Sequence, residues 1–119
     1  MHANQPQPGD PPARMVQLIL GFFKKGPTWS AESSPQVEAD QRRHLATLHE
    51  LRQSGMLLLS GPTPESGDLR GLVVFRPGSR RQVEGWLADD AHVRSGRLVI
   101  ELHEWWLDAE VVERLGAAE

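Results

Sequence analysis

The stretch EADQRRHLATLHEL, from Glu38 to Leu51, carries two histidines five residues apart and reads as one helix. At roughly 100° per residue, Val37, Leu45, Leu48 and Leu51 form a single apolar stripe. His44 falls close to the middle of that stripe, and His49 falls well off to its side. An imidazole is the side chain whose ordinary pKa lies nearest neutrality. Burial lowers such a pKa and a nearby carboxylate raises it, so together they can hold a histidine ready to exchange a proton at cellular pH. The same position also suits a core histidine with one ring nitrogen bonded to a backbone carbonyl.

Other residues that can do chemistry lie far from this helix in sequence. The segment LADDAHVRSG offers Asp89 and Asp90, although acids are common in turns, where they bond local amides. His92 falls in the same loop. In ELHEWW, His103 alternates with Glu101, which makes it a candidate lining residue. Of Trp105 and Trp106 one packs the dimer or core and the other faces the pocket, a choice the sequence leaves open, and Trp105 is placed with the substrate-binding residues. Trp29, beside Gly26 and Pro27 in a polar loop, is suited to close over a planar substrate, or else to anchor the loop. Ser60, in SGP, lacks the GxSxG elbow and the strand-to-helix turn of a nucleophile. It ends a strand and is placed among the substrate-binding residues. No HxH or HExxH spacing is present, and a metal site needs three or more converging ligands. Neither metal nor cofactor is expected.

These side chains need elements to position them. MVQLILGFF, starting at Met15, is apolar at both alternating sets, as in an inner strand. Ser33 or Ser34 can cap the helix, with Pro35 in its first turn, and Ser54-Gly55 ends it. MLLLSG and LRGLVVF read as strands, RRQVEGWLADD as a second helix opened by Gly78 or Ser79, and GRLVIELHEWW as the last strand. Asp108 can then cap a short terminal helix that Gly116 stops. The order β-α-β-β-α-β implies a ferredoxin-like, four-stranded antiparallel sheet with two helices on one face. The first strand is apolar on both faces and VVF and LVI have no polar face, so the uncovered side calls for a second copy of the chain.

The chain has 119 residues, which suits one domain with one core. A net charge of −3 and 24% charged residues give no basic footprint for a phosphate backbone, so nucleic acid is not an expected partner. Without cysteine, disulfides and thiol chemistry are excluded. No apolar run is long enough to span a membrane, and the Gln-, Asn- and Pro-rich start lacks an apolar centre. A cytoplasmic location follows as the expectation. Residues 1–14 are expected to form a solvated tail, 15–107 the α+β domain, and 108–119 the terminal helix.

The pieces GPTWSAE, QRRHLATLHELRQSGMLLLSGP, DLRGLVVF, DDAHVRSGRL and ELHEWW occur in that order between Gly21 and Trp106. Over that span the chain resembles the YCII-related (YciI-like) family of dimeric α+β barrels, most specifically in its RxxHL…GxLLxxGP portion. The resemblance implies two sheets paired face to face in a homodimer, with a pocket between helix and sheet in each protomer. It also implies a catalytic pair. The family's helix histidine corresponds to His44 and its aspartate to Asp90, with Ala91 here where a proline usually follows. Some members resemble dehydrochlorinases or related lyases acting on hydroquinone-type rings.

Two functions are therefore expected. The first is a small cofactor-independent lyase or isomerase in which His44 and Asp90 move a proton on a small cyclic or phenolic metabolite. The alternative is a non-catalytic dimeric module that binds a small molecule in the same pocket or acts as an accessory protein.

Overall fold

A computed structural model describes residues 14–64 and 67–117. The tail expected over residues 1–14 therefore lies, apart from Arg14, outside the described residues. The elements run β1 (Met15–Lys25), α1 (Pro35–Gln53), β2 (Leu57–Pro62), β3 (Leu69–Phe75), α2 (Arg80–Asp89), α3 (Ala91–Ser95), β4 (Leu98–Asp108) and α4 (Ala109–Ala117). The four strands form one antiparallel sheet in the order β2-β3-β1-β4. This is the expected α+β architecture, including the short C-terminal helix.

Local chemistry sets the boundaries. The Ser34 hydroxyl accepts a hydrogen bond from the Val37 N–H at 3.1 Å, and Pro35 occupies the first turn of α1, where no N–H is needed. The Asp108 carboxylate accepts from the Glu110 N–H at 2.8 Å as α4 begins. The segment AHVRS, read from sequence as loop, folds as α3. Its five residues are too few to show helical periodicity. They hold a helix because Asp90 caps the start and Gly96, at φ +82°, closes the end in the left-handed region.

The core lies between the sheet and the helices. Ile19 and Phe23 of β1, Leu57 of β2, Val73 and Phe75 of β3 and Leu98 of β4 are buried together with Val83 and Leu87 of α2. Each such side chain contributes roughly 1.5–3 kcal/mol relative to exposure. Trp86 and the α1 residues Leu48 and Leu51 pack at its edge. Residues directly opposite one another across a ladder share a face. Gly21 and Phe23 therefore turn with Leu102 and Ile100 toward the helices, while Leu18, Leu20 and Lys24 turn with Trp105, His103 and Val99 to the other side. On that second face Leu59, Val99 and Trp105 are 45%, 43% and 41% exposed.

Candidate active site

His44 projects from the middle of α1 and is buried. Its ring meets Phe23 edge-on, at 5.2 Å between centroids and 77° between planes, with Trp86 at 6.2 Å and His92 at 5.2 Å. Asp90 lies at the junction where α2 ends and α3 begins, and it too is buried. One oxygen, Oδ2, accepts from the Val93 N–H at 3.2 Å, which caps α3. The other, Oδ1, stands 2.7 Å from His44 Nδ1. A carboxylate only accepts, so the imidazole carries its proton on Nδ1 and donates it to Asp90. The lone pair is then on Nε2, for which no hydrogen-bond partner is found among the described residues. A histidine held this way has one nitrogen anchored and one free to act as a base.

His44 forms part of the wall of a cavity of about 420 Å³ between α1, the sheet and the loop after β1. Trp29 and Ser60 also line it, as do Gln41, Arg70, His92 and Arg97. Asp90 sits directly behind His44. Ser60 accepts from the Arg52 guanidinium at 3.2 Å. The Trp29 loop is pinned to the turn between α3 and β4, where Gly26 N–H donates to Arg97 O at 2.8 Å and Thr28 N–H to Gly96 O at 3.0 Å. A Cβ on Gly26 would come within 2.3 Å of the Gly96 carbonyl oxygen, so only glycine permits that crossing.

His103 and Trp105, expected at the pocket, lie elsewhere. His103 pairs with Leu20 and Trp105 with Leu18, so both side chains leave from the sheet face opposite the helices. His103 instead bonds Glu101 at 2.5 Å, and Glu101 also takes the Lys24 ammonium at 2.6 Å. That pairing holds the Glu101 carboxyl below and the Lys24 amine above their ordinary pKa values. His49 is exposed on α1. Trp106, which pairs with Gln17, is likewise outside the cavity wall. Among the described residues no group of three or more potential metal ligands converges.

The structure adds one residue that sequence reasoning had set aside. His92 on α3 is 2% exposed, and its Nε2 stands 2.6 Å from Gln41 Oε1. Its Nδ1 is buried without a partner among the described residues. Burial lowers the His92 pKa, and the nearby His44 adds to that effect, with Asp90 opposing it. The only available signal was its position two residues after Asp90.

No family model and no curated protein matches the chain. Among solved structures it is similar to 5-chloro-2-hydroxyhydroquinone dehydrochlorinase from Burkholderia phenoliruptrix AC1100, determined in complex with 2,5-dihydroxybenzoquinone. The match has a TM-score of 0.54 and 25% identity, and covers 74% of this chain and 92% of that one. The chain therefore shares its fold with a lyase of a phenolic substrate, and it carries a buried His–Asp pair beside a cavity.

Proposed function

We propose that the chain is a small lyase or isomerase of the YCII-related kind that works without a cofactor on a small cyclic, phenolic metabolite. The observation that carries this reading is the 2.7 Å contact of His44 Nδ1 with Asp90 at the wall of an open cavity. His44 Nε2 takes a proton from the ring or its hydroxyl. The electron pair released then expels a leaving group, or the proton is returned at another ring position. Asp90 is the positioning residue: it fixes the tautomer and balances the imidazolium as it forms. Activated phenols and enols have low barriers, so one positioned base supplying about 10²–10⁴-fold is adequate for such a step. The likeness to a dehydrochlorinase supports elimination as the reaction class.

The same reading makes the working unit a homodimer, formed through the sheet face that bears Leu59, Val99 and Trp105. On that face Leu59, Val99 and Trp105 are large apolar side chains left exposed. A cytoplasmic location belongs to the same proposal; no helix among the described residues is long and apolar enough to cross a membrane.

Chloride release from 5-chloro-2-hydroxyhydroquinone, compared between wild type and His44→Ala, tests the chemistry. Turnover by wild type and its loss in the variant is the expected result. Equal rates in both would remove His44 from the mechanism. Ring binding with no turnover of any halogenated or isomerisable phenol would return the chain to a non-catalytic binding module.

A further inference from the structure

The cavity wall is one-sided in charge. Among the described residues that line it are two guanidinium groups and two imidazoles, and no aspartate or glutamate. Arg97 Cζ lies 4.3 Å from the centroid of the Trp29 ring, Arg70 Cζ lies 5.0 Å from it, and Lys25 Nζ 5.7 Å. Three cations thus gather around one indole. No carboxylate among the described residues forms an ion pair with any of them. Arg97 spends one N–H on the Ser30 carbonyl at 2.8 Å, which holds the guanidinium in place without neutralising it.

Like charges brought together repel, and the negative face of a tryptophan offsets only part of that cost. Lys24 and Arg80 pair with Glu101 and Glu84, and arginines without a carboxylate elsewhere, such as Arg43 and Arg81, stand on exposed helix faces rather than together at this cavity wall. The Trp29 cluster is different because its three cations converge on one ring with no counter-ion among the described residues. A guanidinium is a planar fork that fits a planar oxyanion with two parallel hydrogen bonds. A volume near 420 Å³ suits a single substituted ring. His44 and His92 are buried within it, whereas Arg70 and Arg97 are half-buried, so ring and anion have separate places.

We infer that the ligand of this cavity is a ring bearing a conjugated, planar oxyanion, held by Arg70 and Arg97 where they gather at Trp29 while the ring itself reaches His44. This rests on the reading of the cavity as a substrate site and adds the substrate's charge. The oxyanion is either a ring carboxylate or the enolate of a hydroxyquinone; both present two coplanar oxygens to the forks. The arginines act in binding and orientation, and His44 in proton transfer, so the two roles separate experimentally.

Isothermal titration calorimetry with two matched probe pairs provides the test. One pair is 2,5-dihydroxybenzoquinone, ionised at neutral pH as a vinylogous acid, with neutral 2,5-dimethoxybenzoquinone. The other is 2,5-dihydroxybenzoate with 2,5-dihydroxybenzamide. At least one anion should bind wild type roughly tenfold or more tightly than its neutral partner, as charge-assisted hydrogen bonds require. The pair that shows the difference identifies enolate or carboxylate. Arg97→Gln and Arg70→Gln should each weaken that anion roughly tenfold and leave the neutral probe unchanged, whereas His44→Ala should retain anion binding. Arg70→Gln stands as the second variant because Arg97 also braces the Ser30 loop. No preference for either anion in wild type, or undiminished anion affinity in both arginine variants, overturns the inference. Chloride release that survives His44→Ala would remove His44 from the mechanism, and wild type that releases no chloride would sink the lyase reading, each while leaving the binding result intact.

Discussion

His44 and Asp90, 46 positions apart in the chain, meet through a 2.7 Å hydrogen bond between Nδ1 and Oδ1. The other carboxylate oxygen is held by the Val93 amide, so the aspartate cannot swing without uncapping α3. The imidazole is thereby fixed in rotation and tautomer. Neutral His44 should carry its proton on Nδ1, as read from its ring nitrogen shifts by NMR. A proton found on Nε2 would contradict the arrangement. Asp90→Asn should cost about 10²-fold or more in turnover and about 1.5–3 kcal/mol of stability in urea unfolding.

Acid should weaken the fold through His92. Its folded pKa lies below the ordinary 6.5 because the buried ring resists charge. The unfolded chain therefore binds a proton that the folded chain refuses. Stability is complete above pH 6.5 and falls as the pH drops below that value toward the folded pKa. Thermal melting between pH 7.5 and 5, roughly a unit or more either side of the ordinary imidazole value, should show this slope, and His92→Gln should flatten it. An unchanged slope in the variant would place the effect elsewhere.

Gly26→Ala should destabilise by about 1–3 kcal/mol, the usual range for overpacking. The added methyl would press on the Gly96 carbonyl, and that contact is backbone on backbone. The Trp29 loop should loosen with it, read as a red shift in tryptophan emission. A variant as stable as wild type would mean that the loop crossing yields freely.

Trp105→Glu should lower the mass of the particle in solution from two chains to one, measured by light scattering. The residue is 41% exposed on the open sheet face, and a charge there opposes burial by a second copy. A single-chain mass for wild type would remove the dimer from the proposal.

The helix of His44 was legible because its nineteen residues are long enough for apolar periodicity to show. The ferredoxin-like antiparallel sheet followed from the β-α-β-β-α-β alternation. The face of β4 that meets the helices was not legible. β1 is apolar in both alternating sets, so its partner His103 had no marked side until Gly21 and Phe23 were seen under the helices. Trp105 followed the same parity away from the cavity. Asp90 entered through family resemblance, since an acid after a helix is common in any fold. Arg70 and Arg97 carried no sequence signal, because cations near strand ends are ordinarily solvated; only their convergence on Trp29 sets them apart.

Because one aspartate both starts a helix and holds the imidazole, the His44–Asp90 pair cannot be assembled piecemeal. A ribosome that has released only the first eighty residues has delivered His44 without its anion. The His44–Asp90 contact is completed late in synthesis, together with the closing of α3 onto α1. Amide exchange at Val93 should therefore report on the cap made by the same carboxylate that holds the histidine.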